Sequence, residues 1–251
     1  MFFSFVALTN LVKGVPLKKA IIFDLDGTLV DTVQDLMTAG NAFFQEMGFV
    51  SMLRTGQHEG VVIGGGRAMI RYGLEANQRE VTEEILDFFY PKLLNHYQEC
   101  LVDTSYVYPE VEDVLLKLKN LGWELGVCTN KPAYLAKELL ERLNLENYFS
   151  SLVGSDTFPY KKPDPRALID TIKLLNADVR NSVLIGDSKT DRDTASAAGV
   201  PIIMVQFGHG AFNHNLHSLE PDAIINNFSE IPDLAKGLIN EKKASLNLNI
   251  F

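Results

Sequence analysis

The sequence is poor in cysteine and in basic residues, and both shortages limit what the protein can be. Cys100 and Cys128 are the only cysteines in 251 residues. Two thiols this far apart do not form a disulfide framework, and they favour a reducing, cytoplasmic location. Lysine and arginine number 23 against 32 acidic residues, which gives a net charge of −9. This charge offers no support for nucleic-acid binding, so an anionic ligand would need local cations or a metal ion.

The chain also lacks a hydrophobic run long enough to span a membrane. The apolar stretch within residues 1–16 is too short, no charge precedes it, and it shows no small-residue cleavage site. We therefore interpret residues 1–16 and 241–251 as terminal extensions, and a weak signal sequence stays open as the alternative for residues 1–16. No internal repeat or low-complexity segment occurs. With 46% hydrophobic residues, the composition predicts a folded protein with a large core.

Apolar segments alternate with amphipathic ones from residue 108 onward. Continuous apolar runs at 123–128, 182–186 and 201–206 predict strands, and the segments between them have helical periodicity. Strands that are apolar on both faces and alternate with helices predict a parallel sheet covered on both sides. The predicted fold class is therefore α/β, with a doubly wound, Rossmann-like parallel sheet.

The stretch between the first two predicted strands is far longer than a crossover requires. The first strand is predicted at Ala20–Phe23 and the next at Trp123–Cys128, whereas a crossover needs one helix and short loops. The intervening residues contain amphipathic segments of their own. We predict a helical cap domain at 33–105, inserted into a discontinuous core of 17–32 and 106–240.

Polar side chains follow several of the predicted strands at the point where each strand ends. In doubly wound sheets, ligands bind beyond the carboxyl ends of the strands. Each of these residues alone is also common as a helix cap or turn residue, so the prediction of a site depends on their convergence at one edge. The candidate residues are Asp24, Asp26, Thr129, Asn130, Lys162, Asp187 and Asp191.

A group of carboxylates that face one space is electrostatically unfavourable until a hard cation joins it. Mg²⁺ prefers oxygen ligands and usually retains waters and a substrate phosphate. We therefore predict Mg²⁺ as the cofactor, with Asp24 and Asp187 as ligands. Lys162 supplies a second positive charge, and Thr129 supplies a hydrogen bond for an anionic substrate.

Four segments carry a resemblance to a known family. In order, DLDGTLVDT, CTNKP, KKPDP and GDSKTDRDTASAAG resemble the four motifs of the haloacid dehalogenase superfamily of phosphohydrolases. The resemblance extends from about residue 17 to about residue 225. It implies phosphomonoester hydrolysis through an aspartyl-phosphate on Asp24, with Asp26 as the general acid and then the base.

The resemblance also implies roles for the other candidate residues. Thr129, Asn130 and Lys162 would bind the phosphoryl oxygens. Asp187 would bind Mg²⁺ together with Asp24 and the main-chain carbonyl of Asp26. Asp191 would orient Lys162 or the waters of the metal.

The motifs also distinguish reaction classes within the superfamily. Dehalogenases lack an acid at the position of Asp26, because a halide leaves without a proton. A phosphonatase needs a Schiff-base lysine in the cap, where Lys92 is the only lysine. Sugar-phosphate mutases usually carry an acidic pair where this chain has GD. Transfer of the phosphoryl group to an acceptor other than water stays open, whereas a catalytically decayed binding module would have lost one of the motif residues.

The predicted cap is the part of such enzymes that recognises the leaving group. The arrangement most resembles the phosphoglycolate phosphatases, which implies 2-phosphoglycolate as substrate. Gly65, Gly66 and Arg67 are the candidate specificity residues, since a guanidinium suits a carboxylate. The family often has a polar residue in place of Gly65 and a small one in place of Arg67, and the glycines also suit a plain turn before a helix. Sugar phosphates, nucleotides and pyrophosphate are the alternative substrates.

The remaining expectations concern partners and histidines. We expect a small phosphorylated metabolite as partner, with no nucleic acid and no membrane, and either a monomer or a homodimer. His209, His214 and His217 match no familiar zinc spacing, and we interpret them as part of a solvated loop near the rim of the site.

Overall fold

A six-stranded parallel sheet with helices on both faces forms the core of the protein. The computed structural model describes residues 18–208 and 215–248. The strand order is β5-β4-β1-β6-β7-β8, and neighbouring strands pair in parallel. These strands are β1 (Lys18–Phe23), β4 (Trp123–Cys128), β5 (Ser151–Val153), β6 (Ala177–Gly186), β7 (Ile202–Val205) and β8 (Ala223–Ile225). The predicted doubly wound α/β fold is confirmed.

The central strand shows why both faces of the sheet must be covered. Successive side chains of a strand point to opposite faces. Ile21 and Phe23 of β1 belong to one apolar cluster, and Ala20 and Ile22 belong to the cluster on the other face. All four are fully buried, so the continuous apolar run of this strand contributes to two cores at once.

The core helices pack on these two faces. Their bounds are α5 (Val111–Asn120), α6 (Ala133–Arg142), α7 (Pro165–Leu174), α8 (Lys189–Ala198) and α9 (Ile231–Leu248). Helix α7 begins as the sequence predicts, because the Asp164 side chain accepts the N–H of Arg166 and Pro165 occupies the first turn. Helix α9 runs past residue 240, where the core was predicted to end. The predicted extension at 1–16 lies outside the described residues.

Between β1 and β4 the chain forms a separate group of helices. These are α1 (Val33–Glu46), α2 (Glu59–Ile63), α3 (Gly66–Ala76) and α4 (Glu83–Glu99). Their inward side chains form an apolar cluster distinct from the two clusters of the sheet, with Phe43, Phe44 and Met69 among its buried members. We call these four helices the cap.

A short antiparallel pair of strands joins the cap to the core. Strands β2 (Val30–Asp31) and β3 (Tyr106–Val107) bracket the cap helices in sequence and pair with each other. The chain therefore enters and leaves the cap side by side. No helix among residues 18–208 and 215–248 is long and apolar enough to cross a membrane.

Candidate active site

The polar residues that follow β1, β4 and β6 lie together at one edge of the sheet. The N–H of Asp24 donates to the carbonyl of Ile185 at the end of β6, at 2.9 Å, and the N–H of Thr129 donates to the carbonyl of Val153 on β5, at 2.9 Å. These hydrogen bonds fix the strand ends against each other. One cavity is lined by six of the seven candidate residues predicted at the strand ends, namely Asp24, Asp26, Thr129, Asn130, Lys162 and Asp187.

Lys162 is the buried cation at the floor of this cavity. Its side chain is 2% exposed, and its Nζ lies 2.8 Å from Asp24 Oδ1 and 2.6 Å from Asp191 Oδ1. Burial by itself would lower the pKa of this lysine, but the charges of Asp191 and Asp24 outweigh burial and raise the pKa above its usual value. The ammonium is therefore charged at every physiological pH.

Asp24 is a buried carboxylate that shares the ammonium of Lys162 with Asp191. Burial raises its pKa to about 6, against the opposing effect of Lys162 and with a further increase from the charge of Asp191. Among the described residues, the ion pair of Asp24 is with Lys162, whose ammonium lies 2.8 Å from Oδ1. A buried carboxylate is costly unless it is paired, and because Asp24 shares this lysine with Asp191, it is suited to accept a further cation.

The donor set around Asp24 suits a hard divalent cation. Asp24, Asp187 and Asp191 can each place one carboxylate oxygen so that all three atoms lie within 4.8 Å of one another. Both oxygens of Asp191 are already engaged, since Oδ1 contacts Lys162 and Oδ2 accepts from the backbone and hydroxyl of Ser188. Asp24 and Asp187 also line the cavity, whereas Asp191 does not. Asp24 and Asp187 are therefore the better candidates to hold Mg²⁺, with Asp191 as the residue that fixes Lys162.

Thr129 and Asn130 lie on the same loop but make different contacts. Thr129 Oγ1 accepts the N–H of Lys131 at 3.2 Å, so the proton of its hydroxyl can be donated to an oxygen in the cavity. Asn130 Nδ2 donates to the main-chain carbonyl of Lys162 at 3.0 Å. The amide of Asn130 thus holds the segment that carries Lys162.

Asp26 is flanked by a lysine that the sequence analysis did not assign. Lys131 Nζ lies 2.8 Å from Asp26 Oδ1 and donates to the hydroxyl of Tyr97 at 2.9 Å. Thr32 Oγ1 donates to the same Asp26 oxygen at 2.8 Å. The signal in the sequence was the lysine of the CTNKP segment, but Tyr97 lies 34 residues away and carries no motif of its own.

The opposite wall of the cavity comes from the cap. The cavity has a volume of about 450 Å³, enough for a small metabolite. The cap contributes mainly apolar side chains, together with the backbone of the glycine segment before α3. These residues include Val62, Ile63, Gly64, Gly65, Gly66, Met69, Tyr90 and Leu93.

The structure does not bring Arg67 to this cavity. Its guanidinium pairs with Glu83 and Asp87, each at 2.5 Å, and the residue is absent from the cavity wall. The two carboxylates are one turn apart on α4, which packs beside α3, so they offer the arginine two partners on the outside of the cap. The predicted contact between Arg67 and a substrate carboxylate is therefore not supported, whereas Gly65 and Gly66 do line the cavity.

The structure describes one of the three histidines that we interpreted as part of a solvated loop. His209 and His214 lie outside the described residues, and His217 is exposed in a short 3₁₀ helix at Leu216–Leu219.

Comparisons of the sequence and of the fold with known proteins point to the same group of hydrolases. A family model described as haloacid dehalogenase-like hydrolase matches residues 21–205. A phosphoglycolate phosphatase of Mesorhizobium japonicum is 36% identical over 220 residues, covering 87% of this chain and 96% of that protein. One of Agrobacterium fabrum is 36% identical over 231 residues, covering 92% and 98%. A crystal structure from Haemophilus somnus, described as a predicted phosphoglycolate phosphatase, superposes with a TM-score of 0.77 at 26% identity, covering 88% of this chain and 99% of that one.

Proposed function

Because the chain belongs to the haloacid dehalogenase-like hydrolase family, we propose that it is a Mg²⁺-dependent phosphatase that hydrolyses 2-phosphoglycolate through an aspartyl-phosphate. The similarity to its relatives identifies the chain as a phosphoric monoester hydrolase. The proposal concerns the substrate, the metal and the covalent route. The observation that carries it is the buried Asp24, which lies beside Lys162 and groups with the carboxylates of Asp191 and Asp187.

The proposed first step is attack by Asp24 on the phosphorus atom. A bond forms between a carboxylate oxygen of Asp24 and phosphorus, the bond from phosphorus to the ester oxygen breaks, and Asp26 gives a proton to the leaving oxygen. Lys162 and the hydroxyl of Thr129 are placed to stabilise the phosphoryl oxygens. Bound at Asp24 and Asp187, Mg²⁺ would neutralise charge on the phosphoryl group and reduce its repulsion from the carboxylates.

The second step releases the phosphate. Water attacks the phosphorus of the aspartyl-phosphate, Asp26 takes its proton, and the carboxylate of Asp24 is restored. Because Asp26 has given up its proton in the first step, it is in the correct state to act as the base in the second.

The choice of 2-phosphoglycolate depends on the relatives and on the size of the cavity. With Arg67 paired elsewhere, the first-turn N–H groups of α3 are our candidates to receive the substrate carboxylate, because a helix N-terminus favours an anion. The helix begins at Gly66, which lines the cavity. The cap thus becomes the part of the chain that selects the leaving group. The cytoplasmic location stays part of the proposal, because both cysteines are unpaired and buried.

The first experiment is phosphate release from a panel of phosphomonoesters with Mg²⁺, compared as kcat/KM. We expect 2-phosphoglycolate to lead sugar phosphates, nucleotides and pyrophosphate by about a hundredfold or more, because a site built for its carboxylate rejects analogues that lack it. Activity spread evenly over the panel would remove the substrate assignment and leave the chemistry intact.

The nucleophile is tested by Asp24→Asn. The variant should fold, since the amide keeps the shape of the buried carboxylate without its charge, and its turnover should fall to background. Far-UV circular dichroism and thermal unfolding check the fold. A folded Asp24→Asn enzyme that still turns over would refute the covalent route.

A further inference from the structure

The buried ammonium of Lys131 has no role in the reaction proposed above. Its side chain is 3% exposed. Burial alone would lower the pKa of this lysine, but the charge of Asp26 and the contact with Tyr97 raise it above its usual value. A charged lysine is rarely this buried unless it is paired, so its two partners indicate what it does.

The first partner is the proposed acid and base. Asp26 Oδ1 forms an ion pair with the ammonium of Lys131 and accepts a hydrogen bond from the hydroxyl of Thr32, each at 2.8 Å. Among the described residues, no hydrogen bond or ion pair reaches Oδ2, and Asp26 lines the cavity. Two donors on one oxygen fix the carboxylate plane and leave Oδ2 to exchange a proton with a leaving group or a water.

The second partner belongs to the cap. Tyr97 lies near the end of α4, is buried, and accepts the hydrogen bond of Lys131 through its hydroxyl, while its ring centroid is 4.4 Å from Nζ. Burial raises the pKa of Tyr97 to about 12, so the phenol is neutral. Lys131 therefore contacts the core through Asp26 and the cap through Tyr97.

We propose that Lys131 is a positioning residue that orients Asp26 for proton transfer, and that Tyr97 links this orientation to the placement of cap helix α4 against the core. The inference rests on the proposed function, since it assigns a task to Asp26 within that reaction. It adds a contact between the cap and the acid–base group to the cap's role in selecting the leaving group.

If Lys131 orients Asp26, the rate lost on removing Lys131 should depend on the leaving group of the substrate. When the bond from phosphorus to an alkoxide oxygen breaks, the proton on Asp26 Oδ2 moves to that oxygen, and a positioned acid is worth about 10²–10⁴ in rate. When the leaving group is a carboxylate, its conjugate acid has a pKa near 4, so it departs without a proton. Loss of Lys131 should therefore slow the first class of substrate far more than the second.

The experiment compares an alkyl phosphate with acetyl phosphate, whose leaving group is acetate and whose size is similar to that of 2-phosphoglycolate. The measured quantity is kcat/KM, which reports the steps up to release of the leaving group and not hydrolysis of the aspartyl-phosphate. The variants are Lys131→Met, Lys131→Arg and Tyr97→Phe. Lys137→Met is the matched control, because Lys137 is 68% exposed and pairs only on the surface of α6 with Glu141.

For Lys131→Met we expect kcat/KM to fall about 100-fold on the alkyl phosphate and less than about tenfold on acetyl phosphate. Lys131→Arg should recover part of the kcat/KM that Lys131→Met loses on the alkyl phosphate. Tyr97→Phe keeps the ring and removes the hydroxyl, so it should shift the ratio of the two substrates in the same direction by a smaller factor. Lys137→Met should match the unmodified enzyme on both.

Equal losses on the two substrates, or no loss on either, would overturn the positioning role. If Lys131→Met does not fold, Tyr97→Phe carries the same test, and an unchanged substrate ratio in that folded variant would contradict the proposal. These outcomes are distinct from failure of the proposed function, in which the unmodified enzyme hydrolyses no phosphomonoester at all.

Discussion

Gly27 lies between the aspartate segment that follows β1 and the carboxylate of Asp187. Its φ is +81°, and a Cβ atom built on it would come within 2.3 Å of Asp187 Oδ2. Gly208 approaches from the other side, where a Cβ would come within 2.0 Å of the Gly27 carbonyl. At the scale of the residue, the placement of the candidate metal ligand therefore depends on two positions that have no side chain.

The variant Gly27→Ala should reduce metal binding more than it reduces stability. Because its Cβ displaces Asp187, we expect Mg²⁺ affinity to fall about 10–100-fold, as for other changes that disturb the support of a metal ligand. The measurement is the Mg²⁺ dependence of phosphate release. Gly122→Ala is the control, with φ of +77° but nothing within 4 Å of its Cβ. It carries the same backbone strain of about 1–2 kcal/mol and should keep normal Mg²⁺ affinity.

At the scale of the element, Asp35 fastens the start of the cap to its end. This carboxylate lies in the first turn of α1 and is buried. It accepts the backbone N–H groups of Thr104 and Ser105, each at 2.9 Å, and both of their hydroxyls. These four hydrogen bonds compensate the charge of the buried carboxylate. They also hold the segment that leads into β3 beside α1.

The variant Asp35→Ala should therefore destabilise the protein. It removes the hydrogen bonds that the part-buried N–H groups of Thr104 and Ser105 donate to a charged carboxylate, and such bonds contribute about 1.5–3 kcal/mol each. We therefore expect the free energy of unfolding to fall by about 2–4 kcal/mol in urea titrations. Gln45→Ala, an exposed position on the same helix, should change it by less than about 0.5 kcal/mol. A similar result for the two variants would show that Asp35 does not hold the two segments together.

At the scale of the whole molecule, the cavity of the candidate active site lies between the sheet and the cap, whose helices have an apolar cluster of their own. The core supplies the charged floor of the cavity, and the cap supplies a mostly apolar wall. The floor collects carboxylates in a chain whose net charge is already −9, so a cation at Asp24 and Asp187 should stabilise the folded state as well as activate the enzyme.

Mg²⁺ should therefore raise the melting temperature. At about 100 times its Kd, a ligand of the folded state adds about 2.7 kcal/mol, which for a chain of this size is a rise in Tm of roughly 5–10 °C. Differential scanning fluorimetry measures it without any substrate. Asp187→Asn should lose most of the shift, and Asp113→Asn, an exposed position on α5, should retain it. A full shift in Asp187→Asn would remove that residue from the metal site.

The hydrophobic pattern of the sequence was sufficient to predict the strands of the sheet wherever a strand is buried on both faces. Strand β4 was predicted at its observed bounds, because every residue of Trp123–Cys128 is buried except Glu124, which is half-buried. Strand β6 begins earlier than predicted, at Ala177, because residues 177–181 are polar or only partly buried and give no apolar signal. Strand β8 was not predicted, since three residues at the edge of the sheet are too few to show a pattern.

The sequence by itself determined which residues can reach the site, because the carboxyl ends of parallel strands meet at one edge whatever the loops do. Asp24, Thr129 and Asp187 were found in this way. Only the tertiary structure decided which side chains pair there. Arg67 turns to the carboxylates of α4, and Lys131 is fixed between Asp26 and Tyr97. These contacts join residues distant in the chain, and which pairs form is decided by the packing of helices, which no local pattern records.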